Sequence, residues 1–139
     1  MRYLLDTNVI SEPFKRSPDR KVTQWLATQS PLDLYISVLT LGELTMGFER
    51  VSAGPRRDEL QRWVMQDLPP RFVGRLLHVD ESIARTWGRM SADGRATGRE
   101  LPAIDGLLLA TAQAHDLVFA TRNARDCAAR GVTILNPWD

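Results

Sequence analysis

Short apolar runs alternate along the chain with longer segments in which apolar residues recur at helical spacing. The short runs predict buried strands over residues 3–5, 34–38, 76–79, 117–120 and 132–135. The helical spacing predicts helices over residues 9–15, 19–29, 41–52, 56–67, 81–92, 102–115 and 124–129. Segment 93–99, which holds Gly94 and Gly98, is the part most typical of a loop.

Strands that are separated by helices predict mostly parallel pairing, with helices on both faces of the sheet. The expected fold class is therefore α/β, a single three-layer domain over residues 1–139 with a mostly parallel sheet of four or five strands. In such sheets, ligands bind outside the carboxyl ends of the strands. That edge is where candidate chemistry is to be sought.

Composition changes this picture little. The chain has 43% hydrophobic and 25% charged residues, which is typical of a globular protein and argues against disorder. Its 18 basic and 17 acidic side chains nearly balance, so net charge indicates no class of partner. Sixteen of the basic side chains are arginine, which suits phosphate contacts, although a genome-wide bias in composition would give the same count.

The single cysteine, Cys127, excludes an internal disulfide and forms no zinc-type pattern with His78 and His115. The apolar run near the N-terminus is too short for a signal peptide, and no stretch approaches the roughly 18 apolar residues of a membrane span. We therefore expect a cytoplasmic protein.

Asp6 directly follows the first predicted strand, at the carboxyl edge of the sheet. Aspartate is also a favoured helix N-cap, and Asp6 precedes a predicted helix. Position alone gives capping and a role in a binding site equal weight.

Glu43 carries a similar ambiguity. The segment from Thr40 to Glu43 matches a capping box, in which the glutamate side chain accepts a hydrogen bond from the backbone amide of the capping residue. Taken singly, capping is the favoured interpretation. The same assignment nevertheless places Glu43 in the first helical turn after the second strand, again at the carboxyl edge.

Asp105 is harder to explain by local structure. The residues that share its helical face, Leu108, Leu109 and Ala112, are all apolar. A carboxylate at the start of such a face is partly desolvated, and burying an unpaired charge is unfavourable. The helix dipole offsets part of this penalty, and a metal ion would offset much more.

Two further polar residues follow the fourth predicted strand. Asp126 lies between Arg125 and Arg130, as an ordinary solvated charge would. Asn123 is closer to the strand end and could bind metal-coordinated water or cap the short helix. Both are candidates for the same site.

Asp6, Glu43 and Asp105 share one predicted edge of the sheet, and like charges gathered there persist where a divalent cation neutralises them. Oxygen ligands without histidine or cysteine select magnesium or manganese. One such cation, or a pair, activates water and stabilises an in-line phosphoryl displacement. The residues alone thus predict an acidic metal site that hydrolyses phosphodiesters.

Several segments of the chain also resemble a known family. The segments are residues 5–13 (LDTNVISEP), 36–44 (ISVLTLGEL), 74–77 (GRLL), 103–112 (AIDGLLLATA), 120–123 (ATRN) and 136–138 (NPW). The first is similar to the opening of PIN-domain ribonucleases, and the set resembles the VapC toxins of type II toxin–antitoxin pairs, in particular the FitB-like branch. The resemblance spans nearly the whole chain.

The resemblance implies a PIN-like domain and specific roles for its polar residues. Asp6, Glu43 and Asp105 would match the metal-binding acids of the family. The fourth position is split between Asn123, which is neutral, and the acid Asp126. The residues that would orient the carboxylates through hydrogen bonds are Thr7, Asn8, Thr121 and Asn123.

The resemblance further implies an endoribonuclease that uses Mg²⁺ or Mn²⁺, forms a homodimer, and is inhibited by a VapB-like antitoxin whose other region binds DNA. Basic residues that could follow an RNA backbone are Arg16, Arg20, Lys21, Arg95 and Arg99. Apolar residues in segments 41–48 and 60–64 could contact an antitoxin or a second copy, with core packing as the default.

Three other functions compete with this interpretation. A phospho-accepting receiver domain would need a lysine late in the chain, and none follows Lys21. A haloacid-dehalogenase-type phosphatase would need a second aspartate in place of Asn8. A catalytically silent PIN domain, acting only as a partner of its antitoxin, stays open.

Overall fold

The computed structural model describes all 139 residues and contains five strands. They are β1 (Tyr3–Leu5), β2 (Leu34–Ser37), β3 (Leu76–Leu77), β4 (Val118–Ala120) and β5 (Ile134–Leu135). The α-helices are α1 (Thr7–Ser11), α2 (Arg20–Thr28), α3 (Val38–Glu49), α4 (Pro55–Arg62), α5 (Leu68–Arg71), α6 (Glu81–Ala96), α7 (Ala103–Ala114) and α8 (Ala124–Cys127). None of these helices is long and apolar enough to span a membrane.

The strands form one sheet in the order β3-β2-β1-β4-β5, and every neighbouring pair is parallel. Tyr3 of β1 aligns with Leu34 of β2 on one side and with Val118 of β4 on the other. The predicted α/β class and parallel sheet are confirmed. Because β1 lies at the centre, the residue that follows it faces the middle of the carboxyl edge.

Two apolar clusters cover the two faces of the sheet. One includes Leu5, Ile36 and the α3 residue Phe48. The other includes Leu4, Phe119 and the inward face of α7. Adjacent residues Leu4 and Leu5 belong to opposite clusters because successive side chains of a strand point to opposite faces. The core therefore has the three-layer form that the sequence predicts.

Helix α3 begins earlier than predicted, and this changes the interpretation of Glu43. The helix starts at Val38, and its N-cap is Ser37, whose hydroxyl accepts a hydrogen bond from the backbone amide of Leu39 at 3.0 Å. Thr40 lies inside the helix and is fully buried. The predicted capping box from Thr40 to Glu43 is wrong, because a serine at the strand end already caps the helix.

Segment 93–99 is also more ordered than predicted. Helix α6 continues to Ala96, and the backbone amide of Arg99 then donates to the carbonyl of Gly94 at 2.7 Å. A Cβ atom on Gly94 would lie 2.8 Å from the carbonyl oxygen of Arg99. Position 94 therefore requires glycine, because the backbone of Arg99 lies too close to leave room for a side chain. Gly98 supplies the positive φ of that turn.

The predicted helix over residues 56–67 is divided. Helix α4 passes into a π-helical turn at Trp63–Asp67, in which the amide of Leu68 donates to the carbonyl of Trp63, and α5 follows. Pro69 and Pro70 cannot donate backbone hydrogen bonds, which removes two hydrogen bonds of a regular helix. The remaining predicted elements are present, with ends that differ by a few residues.

Phe119 provides a test of this core. The side chain is fully buried beneath α7, so Phe119→Ala should lower the free energy of unfolding by about 3–5 kcal/mol. The measurement is urea denaturation followed by circular dichroism. Leu32→Ala is the matched control, because Leu32 is 72% exposed and should change stability by less than about 0.5 kcal/mol. Equal effects of the two truncations would contradict this core.

Candidate metal centre

The candidate site lies at the carboxyl edge of the three central strands. Asp6 follows β1, Ser37 ends β2 and Thr121 follows β4. The backbone amide of Asp6 donates to the carbonyl of Ala120, the last residue of β4, at 2.9 Å. This bond extends the β1–β4 ladder by one position and fixes the backbone from which the Asp6 carboxylate projects.

The Asp6 carboxylate is buried and held through both oxygens. Oδ1 accepts from the backbone amide of Thr7 at 2.8 Å, so Asp6 is also the N-cap of α1. Oδ2 accepts from the buried hydroxyl of Thr121 at 2.7 Å. Burial is the main cause that raises the pKa of Asp6 above its ordinary value, although the two hydrogen bonds oppose it. The capping interpretation of Asp6 is thus confirmed, and its role in a metal site stays a prediction.

Thr7 holds the Glu43 side chain at the same edge of the sheet. The Thr7 hydroxyl donates to Oε1 of Glu43 at 2.6 Å, and the hydroxyl oxygen of Thr40 lies 3.4 Å from that of Thr7. Thr7 thereby contacts both acids, Asp6 through its backbone amide and Glu43 through its side chain. One residue in the first turn of α1 couples the end of β1 to the second turn of α3.

Asp105 projects from the first turn of α7 and is half-buried. Its predicted apolar neighbours on the helix, Leu108, Leu109 and Ala112, are fully buried. Burial is the largest cause of a raised pKa for Asp105, followed by repulsion from Glu43 and Asp126. The prediction of a partly desolvated carboxylate at this position is confirmed.

The residues after β4 divide into a buried part and an exposed part. The backbone amide of Asn123 donates to the Thr121 hydroxyl at 3.0 Å, and the amide of Arg122 donates to Oδ1 of Asn8 at 3.4 Å. Asn123 occupies the N-cap position of α8 but forms no capping hydrogen bond with its side chain. Asp126 is exposed, and its charge raises the pKa of Asp105.

Repulsion connects the acidic residues into one group. Asp105 and Glu43 each raise the pKa of Asp6, and no cationic side chain contributes to the shift of Asp6 or of Asp105. No three acidic, histidine or cysteine side chains, however, form a preassembled metal-binding group. Thr7 and Thr121 instead hold Asp6 and Glu43 on donors of the protein itself.

The donors available at this edge fit a hard divalent cation. They are carboxylate oxygens, and neither a thiolate nor an imidazole accompanies them. Such donors suit Mg²⁺ or Mn²⁺ rather than zinc. Asp6, Glu43 and Asp105 are the residues that could hold the ion. A divalent charge there would remove the repulsion and the desolvation penalty together.

Cys127 lies close to this group, which its position in the sequence did not reveal. Its side chain is buried, and burial, followed by repulsion from Asp105 and Asp6, raises the pKa of the thiol to about 12. In the metal-free protein the thiol therefore stays protonated at neutral pH, where it is a poor nucleophile. It packs instead as a small apolar side chain beneath α7.

Comparison with known proteins gives a consistent family assignment. A family model described as PIN domain matches residues 3–131. The chain is 37% identical over 135 residues to Toxin FitB of Neisseria gonorrhoeae, covering 97% of each protein. It is 38% identical over 136 residues to VapC ribonuclease Y4jK of Sinorhizobium fredii, covering 98% of this chain and 97% of that protein.

The fold has equally similar counterparts among solved structures. The crystal structure of FitAcB from Neisseria gonorrhoeae superimposes with a TM-score of 0.92 at 37% identity, and 98% of each chain is covered. The structure of FitAB bound to an IR36 DNA fragment gives a TM-score of 0.93 at 35% identity, covering 99% of this chain and 96% of that one.

The Thr121 hydroxyl provides a test of the hydrogen bonds at Asp6. Thr121→Val keeps the shape of the side chain but leaves a buried carboxylate oxygen without its donor. The variant should lose about 1–3 kcal/mol of unfolding free energy. Thr121→Ser retains the hydroxyl and should be closer to the wild type. Chemical denaturation of the three proteins measures this, and equal losses for valine and serine would contradict the assigned bond.

The raised pKa of Asp105 predicts a metal-free protein that is destabilised by its own site. An ionised carboxylate with a raised pKa destabilises the fold above that pKa, and the effect disappears below the ordinary value of 3.8. Asp105→Asn should therefore raise the melting temperature at pH 7 in EDTA, with a gain that shrinks as the pH falls towards 3.8.

The control for this experiment is Asp67→Asn, because Asp67 is exposed and makes no salt bridge. It should leave the melting temperature nearly unchanged at both pH values. An Asp105→Asn protein that melted below the wild type in EDTA would show that the fold stabilises the ionised carboxylate, which contradicts a site of mutually repelling acids.

Proposed function

We propose that this chain, which belongs to the PIN-domain family, is the toxin of a type II toxin–antitoxin pair and acts as a metal-dependent endoribonuclease. The observation that carries the proposal is the group of mutually repelling carboxylates at the carboxyl edge of the central strands. Relatives named as a toxin and as a VapC ribonuclease, at 37% and 38% identity over nearly the full chain, support it.

The proposed cofactor is Mg²⁺ or Mn²⁺, held by Asp6, Glu43 and Asp105. When bound, such an ion supplies positive charge to the phosphodiester and lowers the pKa of water. Either Asp126 or Asn123 would fill the fourth position of the site. We favour Asp126, because its charge already raises the pKa of Asp105. Asn123 offers its side-chain amide from the N-cap position of α8.

The other polar residues of the site hold the acids in place. Thr7 donates to Glu43, and Thr121 donates to Asp6, so each hydroxyl limits the rotation of a carboxylate before any ligand arrives. Asn8 accepts from the amide of Arg122 and ties α1 to the loop after β4. We propose that these contacts keep the acids near one another until an ion binds.

A protein antitoxin is the proposed partner. Solved structures described as FitAcB, and as FitAB bound to a DNA fragment, contain chains 37% and 35% identical to this one, which supports a complex of the same kind. A toxin that cleaves RNA and an antitoxin that binds DNA would both act in the cytoplasm. A homodimer, which the family resemblance implies, stays a prediction.

Neutralising the acids one at a time tests the nuclease proposal. Asp6→Asn, Glu43→Gln and Asp105→Asn should each reduce the cleavage of single-stranded RNA in Mg²⁺ or Mn²⁺ by at least about a hundredfold, because each removes charge that the ion requires. EDTA should abolish cleavage by the wild type. The measurement is the initial rate on a fluorescently labelled RNA, with circular dichroism to confirm folding.

Asp67→Asn is again the matched control and should cleave like the wild type. If the three site variants cleaved as fast as the wild type, the observed activity would come from a contaminating nuclease. A wild type that bound neither Mg²⁺ nor Mn²⁺ at millimolar concentration would instead favour the catalytically silent alternative.

A further inference from the structure

A cavity with a volume of about 660 Å³ lies outside the acidic group but adjoins it. Helices α6 and α7 form its walls, and the segment that follows α8 closes one side. The lining includes Ala103 and Gly106, which flank Asp105 on the first turn of α7. The cavity thus begins on the same helical turn that carries one of the site acids.

One wall of the cavity is aromatic. Trp87 of α6 packs so closely on α7 that a Cβ atom at Gly106 would lie 3.0 Å from its Cδ1 and 3.1 Å from its Nε1. Gly106 therefore permits the contact between the helices. Met90 continues the apolar wall along α6. Trp87 and Met90 thus give the cavity an aromatic and apolar wall, which suits a nucleobase.

Another wall carries two guanidinium groups placed side by side. Nε of Arg130 donates to the backbone carbonyl of Asp126 at 2.9 Å. Nη2 of Arg99 donates to the carbonyl of Ala128 at 2.9 Å and lies 3.4 Å from the same Asp126 carbonyl oxygen. Both side chains line the cavity, so two like charges meet at one backbone carbonyl.

Neither of these arginines is neutralised by a salt bridge within the protein. Five salt bridges are present, and none includes Arg99 or Arg130. Arg95, the third arginine of the lining, does pair with Glu100 at 3.7 Å. Adjacent unpaired guanidiniums repel each other, and an anion between them would relieve that repulsion.

The backbone holds Arg99 in this position. The turn after α6 depends on Gly94, whose carbonyl accepts from the amide of Arg99 at 2.7 Å. The Nη1 atom of Arg130 lies 3.4 Å from the position that a Cβ atom of Gly94 would occupy. The two arginines and the glycine turn are thus one packed unit, arranged before any ligand binds.

We propose that this cavity binds a nucleotide of the RNA substrate next to the cleaved bond, with its phosphate on Arg99 and Arg130 and its base against Trp87 and Met90. The proposal rests on the nuclease function proposed above, because it assigns the cavity to the same substrate. Guanidinium groups bind phosphate through paired hydrogen bonds, and an aromatic wall accepts any base. The volume accommodates a whole nucleotide.

Charge favours a nucleotide over a protein segment as the occupant. The lining carries three arginines and one glutamate, and it reaches the first turn of α7, from which Asp105 projects. A substrate that spanned both places would present one phosphate to the arginines and another to an ion that the acids would hold. An acidic peptide would match the arginines alone.

The test is the affinity of the full-length protein for a fluorescein-labelled single-stranded RNA, measured by anisotropy in EDTA so that no cleavage occurs. The double variant Arg99→Gln, Arg130→Gln should bind on the order of tenfold more weakly. Its log affinity should depend less on log salt, by roughly 0.7 for each phosphate that an arginine no longer neutralises. In metal, KM should rise by more than kcat falls.

The matched control is Arg85→Gln, Arg89→Gln, which removes the same charge from exposed positions of α6 outside the cavity. Equal reductions in affinity in the two double variants would overturn the proposal, since they would report only net charge. A change in sedimentation caused by the cavity variant alone would also overturn it, by assigning the cavity to an interface between copies of the chain.

A second pair of variants avoids the hydrogen bonds that Arg99 and Arg130 make with the backbone. Ser91 is an exposed residue of the cavity lining, and Ser91→Glu would place a negative charge at its mouth. It should weaken RNA binding, whereas Ala84→Glu, on an exposed position of α6 outside the cavity, should not. Unchanged affinity in Ser91→Glu would contradict the proposal.

These outcomes are separable from those of the nuclease proposal. RNA affinity in EDTA does not require a metal ion or cleavage. A wild type that bound RNA through Arg99 and Arg130 but never cleaved it would support the cavity assignment and reject the nuclease. If the protein cleaved RNA but its RNA affinity were unchanged in the cavity variants of both pairs, only the cavity assignment would be rejected.

Discussion

The burial of acidic side chains at one edge of the sheet is the physical constraint on which the proposed function of this fold depends. Asp6 is placed at the centre of the sheet edge by β1, and Asp105 is brought to it by α7. Burial, followed by repulsion from neighbouring acids, raises the pKa of both, and no cation of the protein contributes to either shift. Such an arrangement is unfavourable for folding alone and would become favourable if a divalent cation bound.

The fold tolerates this group because neutral donors hold the acids. The Thr121 hydroxyl and the Thr7 amide satisfy Asp6, and the Thr7 hydroxyl satisfies Glu43. No buried polar side-chain atom lacks a hydrogen-bond partner. The carboxylates do not form a preassembled ligand set. Ion binding would therefore exchange some of these hydrogen bonds for coordination, at the edge where an α/β sheet binds its ligands.

The parts of the structure that depend on periodicity could be predicted from the sequence. The alternation of short apolar runs with helical segments predicts the parallel sheet that the structure contains. Because ligands bind at the carboxyl ends of such strands, the sequence also predicts that Asp6 and Asp105 lie at one edge. Glu43 shows the limit of local patterns. Its spacing from Thr40 matched a capping box, but the cap is Ser37 at the end of β2, and only the three-dimensional structure reveals that Thr7 contacts Glu43.

Contacts between distant segments could not be predicted for the same reason. In the sequence, Arg130 is only a neighbour of Asp126, yet its guanidinium lies beside that of Arg99, which comes from the turn after α6. Gly94 predicts a loop in the sequence, because glycine is common in loops. In the structure it lies in an ordered segment, where it leaves room for the backbone of Arg99. No spacing rule encodes such packing, because it depends on how α6, α7 and α8 meet.

Whether Asp6, Glu43 and Asp105 form one site for a divalent cation can be measured directly. The experiment is anomalous diffraction from crystals of the protein grown or soaked in Mn²⁺, recorded near the manganese absorption edge. We expect an anomalous peak within coordination distance of oxygens from these three residues, at about 2.0–2.3 Å. A peak elsewhere, or none at these carboxylates with Mn²⁺ present, would contradict the shared site.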